Sequence, residues 1–409
     1  MELYSGSLYW PGTSPYYYLY PVLGQSIQTE AAIIGSGVAG ILCGYLLAKS
    51  GIDTVVAGGG EIGGGAAAAD TGIVQFSGDM MLSDLIDGFG ERGAVRLYAA
   101  CRHAVEHLGI IAGGLGRDVG FKRRSSLNFA PDKRQLNRLE REFRALRTYG
   151  FDVEYWSSSD ISARFPFERP AAIVTHGDAE LNPYLFVHET ASAAIAAGLQ
   201  VYQETAITAC EAGDGGYKLR TAGGHVIEAR YVIQATGSAP ADVCALRMQT
   251  LKSRRFAVVT GPQMSLAEWH QRFILREMSV ETLALRTTPD GRIIACGQRE
   301  LADGPLPSGR AEREPRIAAI LESVRRLFPD CRIDVAHEWC AGAGESRDRL
   351  PYIGEDPDRP GVFYSLGCGG NGIVYAMLAA QIIRDRLQGE RHPAADLLRL
   401  GRPSLAGVF

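Results

Sequence analysis

The chain has 409 residues, of which 46% are hydrophobic and 22% are charged, and its formal net charge at pH 7 is −4. These values are typical of a soluble globular protein with a sizeable core, long enough for two domains or one two-lobed unit. The charge balance gives no support to nucleic acid or an anionic membrane as a partner, and arginine pairs such as Arg254 and Arg255 are interpreted as solvated surface.

The eight cysteines are scattered and form no Cys-x-x-Cys motif. This argues against a zinc ribbon or a disulfide framework, so no metal site is predicted, and the cysteine usage suits a reducing compartment. The N-terminus lacks the pattern of a signal peptide, and the apolar stretches end well short of the roughly 18 residues that a membrane span needs. We therefore expect a cytoplasmic protein without a membrane partner.

Early in the chain, a short apolar run ends in the sequence Gly35-Ser36-Gly37-Val38-Ala39-Gly40, and an apolar stretch with helical spacing follows. Three glycines with this spacing between a strand and a helix form the dinucleotide-binding fingerprint. The first glycine permits a sharp turn, the second lets the backbone approach a pyrophosphate, and the third lets helix and sheet lie close together. Free N–H groups at the start of the helix then bind the phosphate charge.

Residues 53–57 are predicted to form the second parallel strand, and residues 58–69 follow it with the sequence GGGEIGGGAAAA, almost without side chains. Such a stretch is typical of a flexible low-complexity loop. It is also what a backbone requires where it lies against something large and flat. Beside the fingerprint we favour this second interpretation.

The middle of the chain alternates between helical and strand-like patterns. Helices are predicted over 92–114, 133–149, 188–197 and 312–327. Strands are predicted over 171–177, within 200–236 and within 254–300, with turns at 181–184, Gly223-Gly224 and Pro289-Asp290-Gly291. The segment from residue 362 onward repeats the order strand, glycine turn, helix. We expect the two strand–glycine–helix units to form one nucleotide-binding domain, with a mainly antiparallel domain inserted between them.

Further motifs join the fingerprint: Ala235-Thr236-Gly237 closes a strand, residues 347–354 read RDRLPYIG, and residues 367–373 read GCGGNGI. With them, nearly the whole chain resembles the D-amino-acid-oxidase-like superfamily of FAD-dependent oxidoreductases, which includes glycine, sarcosine and γ-glutamylputrescine oxidases.

The resemblance implies an α/β fold in which a Rossmann-like FAD-binding domain of the glutathione-reductase type carries an inserted, mainly antiparallel α+β substrate domain. The expected FAD-binding domain is discontinuous and comprises residues 1–90, 185–243 and 335–409. The expected substrate domain comprises residues 91–184 and 244–334.

FAD is the cofactor that the resemblance implies. Backbone N–H groups at a helix start near 370–372 would stabilise the negative charge that the flavin edge gains on reduction. Thr71 and Gly72 would lie near the ring, and Ile207 would offer backbone groups to the adenine. The expected cofactor-binding residues are Gly35, Ser36, Gly37, Val38, Ala39, Gly40, Gly58, Thr71, Gly72, Ile207, Ala235, Thr236, Gly237, Gly367, Gly369, Gly370, Asn371, Gly372 and Ile373.

The activity implied is oxidation of a C–N bond of a primary or secondary amine or amino acid to an imine, by hydride transfer to the flavin. The partner is a small-molecule amine, and an oligomer is left open. Arg286 is the candidate for binding a substrate carboxylate, Arg347 for a positive charge beside the ring, and Gln75 for a position over the ring. Two alternatives stay open: an FAD-dependent tailoring enzyme acting on a larger metabolite or peptide, and a non-redox descendant that has lost normal FAD binding.

Departures from the family pattern motivate these alternatives. The second strand of such proteins normally ends in a carboxylate that binds the adenosine ribose, and here that position is Gly58, which predicts weaker FAD binding. The loop beside the flavin is reduced to Ala66–Ala69, and the place of a substrate-binding arginine falls at Ala343. Cys340 lies one residue from the site where sarcosine-oxidase-like relatives attach flavin, and one residue of slip on a strand turns a side chain to the opposite face.

Overall fold

The computed structural model describes residues 3–16, 18–78, 80–237, 243, 251–263, 266–279, 283–301 and 304–405. These residues form two sheets with helices packed against them. Cys244 lies outside the described residues, so the structure does not test the expectation that it takes no part in a disulfide or a metal site.

The first sheet has eight strands among the described residues. Numbered along the chain, they are Ile27–Ile34 (β2), Thr54–Ala57 (β3), Gln200–Tyr202 (β8), Ile207–Gly213 (β9), Gly216–Thr221 (β10), Val226–Gly237 (β11), Tyr352–Glu355 (β17) and Val362–Leu366 (β18). The order is β17-β18-β11-β2-β3-β8, with β9 and β10 attached beside β11. The neighbours β18, β11, β2, β3 and β8 run parallel, as the fingerprint predicts.

The parallel strands are buried on both faces. The last four residues of β2, all of β3 and all of β18 are buried, which is the burial expected of parallel strands covered by helices. The helices Val38–Lys49 (α1), Pro183–Ala196 (α6) and Gly372–Leu387 (α8) lie together, with α1 in contact with both others. The N-termini of α1 and α8 therefore start from neighbouring places in the fold.

The second sheet has ten strands among the described residues. They are Tyr4–Gly6 (β1), Ile73–Val74 (β4), Lys122–Phe129 (β5), Val153–Ser157 (β6), Ala171–Glu180 (β7), Leu251–Thr260 (β12), Ile274–Glu277 (β13), Ala284–Thr287 (β14), Ile293–Leu301 (β15) and Val335–Glu345 (β16). The order is β1-β16-β12-β15-β14-β13-β5-β7-β4, with β6 beside β7. Its pairs are antiparallel except for β13 with β5.

The remaining helices are Leu82–Phe89 (α2), Glu91–Gly114 (α3), Leu136–Thr148 (α4), Ser158–Ser162 (α5), Arg310–Leu327 (α7) and Ala395–Leu398 (α9). The amphipathic pattern of α4 explains its placement, because Leu139, Glu142 and Leu146 are buried while its arginines face outward. Arg138 and Arg141 pair with Asp84 of α2 at 2.6 and 2.7 Å, so the two helices are also joined by ion pairs.

The structure corrects one predicted turn. Residues 181–184 are not a free turn, because Asn182 caps α6 with its side-chain oxygen, which accepts the N–H of Leu185 at 3.1 Å, and Pro183 occupies the first helical position. This Asn-Pro pair is a helix start signal, since proline needs no partner for its missing N–H there. The predicted helix over 188–197 therefore starts five residues earlier, at Pro183.

The predicted domain ranges stay a prediction. Strands β1, β4 and β16 lie in chain segments assigned to the FAD-binding domain, but they pair within the ten-stranded sheet. The ten-stranded sheet therefore includes strands from both predicted ranges, whereas all strands of the eight-stranded sheet come from the range predicted for the FAD-binding domain. In the part of the chain that the structure describes, no helix is long and apolar enough to cross a membrane.

Candidate functional site

A cavity of about 700 Å³ lies where the two sheets meet. It lies between the fingerprint, the loop at 59–73, the turn at 235–237, the face of β16 and the start of α8. This volume is within the range of about 300–1,000 Å³ that is usual for ligand and cofactor sites. The cavity therefore joins the segments that the sequence motifs singled out.

The three fingerprint glycines have three different surroundings. A Cβ at Gly35 would lie 2.4 Å from the carbonyl oxygen of Ala235, and one at Gly40 would lie 1.8 Å from that of Gly35, so neither position admits a side chain. Gly37 caps α1 and lines the cavity, and a Cβ there would meet no protein atom within 4 Å. Gly35 and Gly40 thus hold the turn, while Gly37 keeps space free for a ligand.

Ser36 fills the space beside Gly58. A Cβ on Gly58 would lie 2.1 Å from Ser36 Oγ and 2.5 Å from Ser36 Cβ, which is closer than real side chains approach. Ser36 also lines the cavity, whereas Gly58 does not. The Ser36 side chain therefore occupies the space that a side chain at residue 58 would need.

The glycine- and alanine-rich loop is tied down by hydrogen bonds to its backbone. The indole N–H of Trp10 donates to the carbonyl of Asp70 at 2.6 Å, and that of Trp339 donates to the carbonyl of Ala69 at 2.8 Å. The N–H of Gly72 donates to Asp70 Oδ1 at 2.7 Å. These contacts support the interpretation that the bare backbone forms a fixed wall.

Asp70 is an acidic group in this wall that sequence reasoning missed. It lines the cavity, and burial raises its pKa from 3.8 to about 6, against the opposing effects of the Gly72 hydrogen bond, Arg286 and Arg255. No motif marks it, because it follows four alanines and its burial comes from distant segments.

A pH-dependent stability follows from the pKa of Asp70. A folded-state pKa raised above the unfolded value means that the proton stabilises the fold at low pH, and this contribution is lost as the pH rises through about 6. Replacing Asp70 by Asn, which keeps the acceptor for Gly72, removes that pH dependence. We expect the free energy of unfolding of Asp70→Asn, relative to the parent, to rise by about 2–3 kcal/mol between about pH 4 and pH 8.

Urea unfolding at both pH values measures this difference. The exposed Asp53 provides the matched control, and for Asp53→Asn the relative stability should change by less than about 0.5 kcal/mol over the same interval. If the difference in the free energy of unfolding between Asp70→Asn and the parent were the same at both pH values, the prediction would be contradicted.

The C-terminal glycine turn faces a cation that the sequence did not identify. Gly369, Gly370, Asn371, Gly372 and Ile373 line the cavity. A Cβ on Gly370 would lie 2.2 Å from Nη1 of Arg255, so the guanidinium lies directly over this glycine. The interpretation of Arg255 as solvated surface is therefore wrong, because its side chain lines the cavity.

The strand β16 contributes a wall of small residues. Ala341, Gly342, Ala343 and Gly344 line the cavity, so the family's place for a substrate-binding arginine is open space here. Cys340 is buried in the hydrophobic cluster on the other side of the sheet, and it is not among the residues lining the cavity. The alternation of the strand thus turns Cys340 to the face opposite to the cavity, as predicted.

Arg286, predicted to bind a substrate carboxylate, is almost fully buried in β14, with 2% of its surface exposed. Its Nη1 donates to the carbonyl of Gly72 at 3.1 Å and lies 3.8 Å from Glu180 Oε2, and the guanidinium lies 5.0 Å from the ring centre of Trp10. Burial lowers its pKa. These contacts support a role in holding the wall of the cavity, and a direct contact with substrate stays a prediction.

The other predicted residues divide by whether they line the cavity. Gln75 is buried and lines it, whereas Arg347 is exposed on the loop after β16. The cofactor-binding candidates that line the cavity are Gly35, Ser36, Gly37, Val38, Ala39, Thr71, Ala235, Thr236, Gly237, Gly369, Gly370, Asn371, Gly372 and Ile373. Those that do not are Gly40, Gly58, Gly72, Ile207 and Gly367.

A second, smaller cavity of about 190 Å³ adjoins the first one. Arg255 and Arg276 line both cavities, so the two spaces meet at these arginines. Sequence reasoning did not single out Arg276. Its signal was weak, since a single arginine in a short strand is as common on a surface as in a site.

The sequence matches a family model described as FAD dependent oxidoreductase over residues 30–386. It is 23% identical over 379 residues to glycine oxidase of Geobacillus kaustophilus, covering 90% of this chain and 95% of that protein. It is 22% identical over 393 residues to gamma-glutamylputrescine oxidoreductase of Escherichia coli, covering 94% and 89%. The crystal structure of glycine oxidase from Geobacillus kaustophilus matches with a TM-score of 0.76 at 20% identity, covering 89% of this chain and 95% of that one. The predicted fold class is confirmed.

Proposed function

Because the chain belongs to the family of FAD-dependent oxidoreductases, we propose that it oxidises a C–N bond of a small primary or secondary amine or amino acid to an imine. FAD is its cofactor, as predicted from the fingerprint and the C-terminal glycine turn. The similarity to glycine oxidase and to gamma-glutamylputrescine oxidoreductase supports an amine as the substrate. A cytoplasmic location belongs to the same proposal.

The residues present fit FAD. Gly37 leaves open space at the N-terminus of α1, where N–H groups bind phosphate, and the bare walls at 64–67 and 341–344 leave room for a large flat group. The Ser36 hydroxyl lies beside Gly58, the position of the family's carboxylate, and would offer the adenosine ribose a neutral partner. This cradle does not support the alternative of a descendant without a cofactor.

The residues of the chain supply orientation and electrostatics. When bound, FAD would supply the acceptor for a hydride, that is one proton and two electrons, from the carbon next to nitrogen. The backbone N–H groups at the start of α8, near Gly370 and Gly372, and the guanidinium of Arg255 favour negative charge at that end of the cavity. A neutral amine needs no strong base for this step, and water then hydrolyses the imine to a carbonyl compound.

The arginine that binds the substrate carboxylate in the family is absent from its usual place, since Ala343 stands there. Arg286 stays the candidate for binding a substrate carboxylate, Arg347 for a positive charge beside the ring and Gln75 for a position over the ring, and only Gln75 of the three lines the cavity. A second candidate function, an FAD-dependent enzyme for a larger metabolite, is favoured by the smaller cavity, which adds about 190 Å³ to the space for substrate.

Flavin absorbance tests the proposed function. We expect protein that has been incubated with FAD and then separated from unbound FAD to show flavin bands between about 350 and 500 nm. Adding the correct amine without oxygen should bleach these bands, whichever acceptor the enzyme uses afterwards. The matched control is the same amine with the reacting carbon fully methylated, which has no hydrogen to transfer and should leave the bands unchanged.

Two outcomes would contradict the proposal. A folded protein that retains no flavin bands after unbound FAD has been removed would exclude flavin chemistry. A flavoprotein that no amine or amino acid bleaches, while a compound without nitrogen does, would exclude C–N oxidation.

A further inference from the structure

One face of the ten-stranded sheet forms a wall of the larger cavity, and the strand register defines the rows of side chains on it. Ala284 of β14 lies opposite Cys296 of β15, and Cys296 lies opposite Ala257 of β12. Ala257 in turn lies opposite Trp339 of β16. All four residues line the cavity. Because directly opposite residues on paired strands share a face of the sheet, they form a continuous apolar row across four strands.

The next row on the same face includes the N-terminal strand. Ala341 of β16 lies opposite Arg255 of β12 on one side and Tyr4 of β1 on the other, and all three line the cavity. Since the alanine side chain ends at Cβ, a recess remains between its two longer neighbours. The apolar recess is the space over three small residues and beside two aromatic ones, which all belong to one hydrophobic cluster: Ala257, Cys296 and Ala341, with Tyr4 and Trp339.

The N-terminal segment that contributes Tyr4 is fixed against the cavity. The N–H of Gly342 donates to the carbonyl of Leu3 at 2.9 Å. A Cβ on Gly65 would lie 2.8 Å from Leu3 Cδ1, so Leu3 occupies room that the bare loop leaves open. The family model matches residues 30–386, so this wall of the cavity comes from a segment outside the matched range.

The charged side chains that line the larger cavity do not provide the recess with a cation. Among the described residues they are Glu61, Asp70, Arg255 and Arg276. The guanidinium of Arg255 lies over Gly370 at the start of α8. Arg276 lies opposite Ala284, at the far end of the apolar row, and donates to the carbonyl of Gly78.

The chemistry of the recess therefore favours an uncharged group. A carboxylate placed over Ala257 and Ala341 would lose its hydration without gaining an ion pair, which is costly. An alkyl or aryl group placed there would lose apolar contact with water, which is favourable. Ala343, which stands at the family's place for a substrate-binding arginine, lines the same cavity and adds no charge.

We propose that the apolar recess binds an uncharged alkyl or aryl group of the substrate, and that Tyr4 and Ala341 determine this specificity. The inference rests on the proposed function, because it takes an amine as the substrate. It narrows the substrate to amines that carry an apolar group and need no carboxylate for binding. Tyr4 and Ala341 contact that group and take no part in hydride transfer.

Two amines that cannot be oxidised test the recess without catalysis. In both, the carbon next to nitrogen carries two methyl groups and no hydrogen, and its remaining group is phenyl in cumylamine and a carboxylate in α-aminoisobutyrate. Calorimetric titration of the FAD-loaded protein should show cumylamine binding at least about tenfold more tightly than α-aminoisobutyrate. The phenyl group is buried in the recess, whereas the carboxylate finds no cation there.

Ala341→Leu fills the recess with a larger side chain. The affinity for cumylamine should fall by about tenfold or more, while the affinities for α-aminoisobutyrate and for FAD change by less than about threefold. Ala336→Leu is the matched control, because Ala336 lies on the same strand but is exposed and outside the cavity lining. Its affinities for both amines should equal those of the parent.

Tyr4→Ala tests the recess at the edge of the sheet, where a substitution disturbs the core least. Loss of the aromatic ring should reduce the preference for cumylamine over α-aminoisobutyrate by about threefold or more. This variant keeps the test decisive if Ala341→Leu does not fold.

Three results would overturn the proposal. The first is a parent protein that binds α-aminoisobutyrate as tightly as cumylamine, and the second is a preference that stays unchanged in the folded recess variants. The third is an Ala341→Leu protein that loses affinity for FAD by the same factor as for cumylamine, because the recess would then hold the flavin itself. None of these results depends on oxidation of an amine, so they are distinct from a failure of the proposed function, which the bleaching experiment detects.

Discussion

Gly37→Val should abolish FAD binding while the protein stays folded. The new Cβ meets no protein atom within 4 Å, so the substitution costs the fold little, and it projects into the cavity at the N-terminus of α1. There it occupies the space in which a pyrophosphate approaches the backbone N–H groups. We expect the affinity for FAD to fall by about 100-fold or more.

Titration of the FAD-free protein with FAD, followed by flavin fluorescence, measures this loss, and circular dichroism checks the fold. Gly24→Val is the matched control, because Gly24 is also free of neighbours within 4 Å but lies outside the cavity lining. Its affinity for FAD should equal that of the parent. If folded Gly37→Val bound FAD as tightly as the parent, the fingerprint would not be part of the FAD-binding site.

The double variant Ser36→Gly, Gly58→Glu should bind FAD more tightly than Ser36→Gly alone. Glutamate at residue 58 alone is obstructed, because a Cβ there would lie 2.1 Å from Ser36 Oγ. Removing the serine side chain makes room for the carboxylate. A hydrogen bond to a charged group contributes about 1.5–3 kcal/mol, which corresponds to a gain of roughly tenfold or more.

The single variants separate the two effects. Gly58→Glu in the parent should bind FAD no more tightly than the parent, since the carboxylate has to displace Ser36. Ser36→Gly should bind somewhat more weakly than the parent, because it loses the hydroxyl. If the double variant binds FAD no better than Ser36→Gly, the carboxylate does not reach the ribose. Residue 58 is then not equivalent to the position of the family's ribose-binding carboxylate.

The two arginines at the junction change the interpretation of the missing family anchor. Ala343 leaves the usual position of a substrate-binding arginine empty, and this could be taken as the loss of anion binding. Arg255 and Arg276 approach the same space from β12 and β13. Among the described residues, two arginines of β12 and β13 therefore line the cavity, and both also line the smaller cavity.

The sequence by itself determined those functional elements that are built from residues close together in the chain. The fingerprint from Gly35 to Gly40 needs only a strand, a turn and a helix in series, so the chain order of a few residues specifies it. The turn at 369–371 before α8 is specified in the same way. From these two units, together with Ala235-Thr236-Gly237 and the run RDRLPYIG at 347–354, the family and FAD could be predicted.

Only the tertiary structure decided which charged residues face the site. Arg254 and Arg255 are neighbours in β12, and the pleat sends them to opposite faces, but no local pattern says which face the cavity occupies. Asp70 and Arg286 are buried by segments 60 or more residues away in the chain, among them the one that carries Trp10. The direction of a side chain on a strand depends on the partner strands and on what covers them, and long-range packing alone sets both.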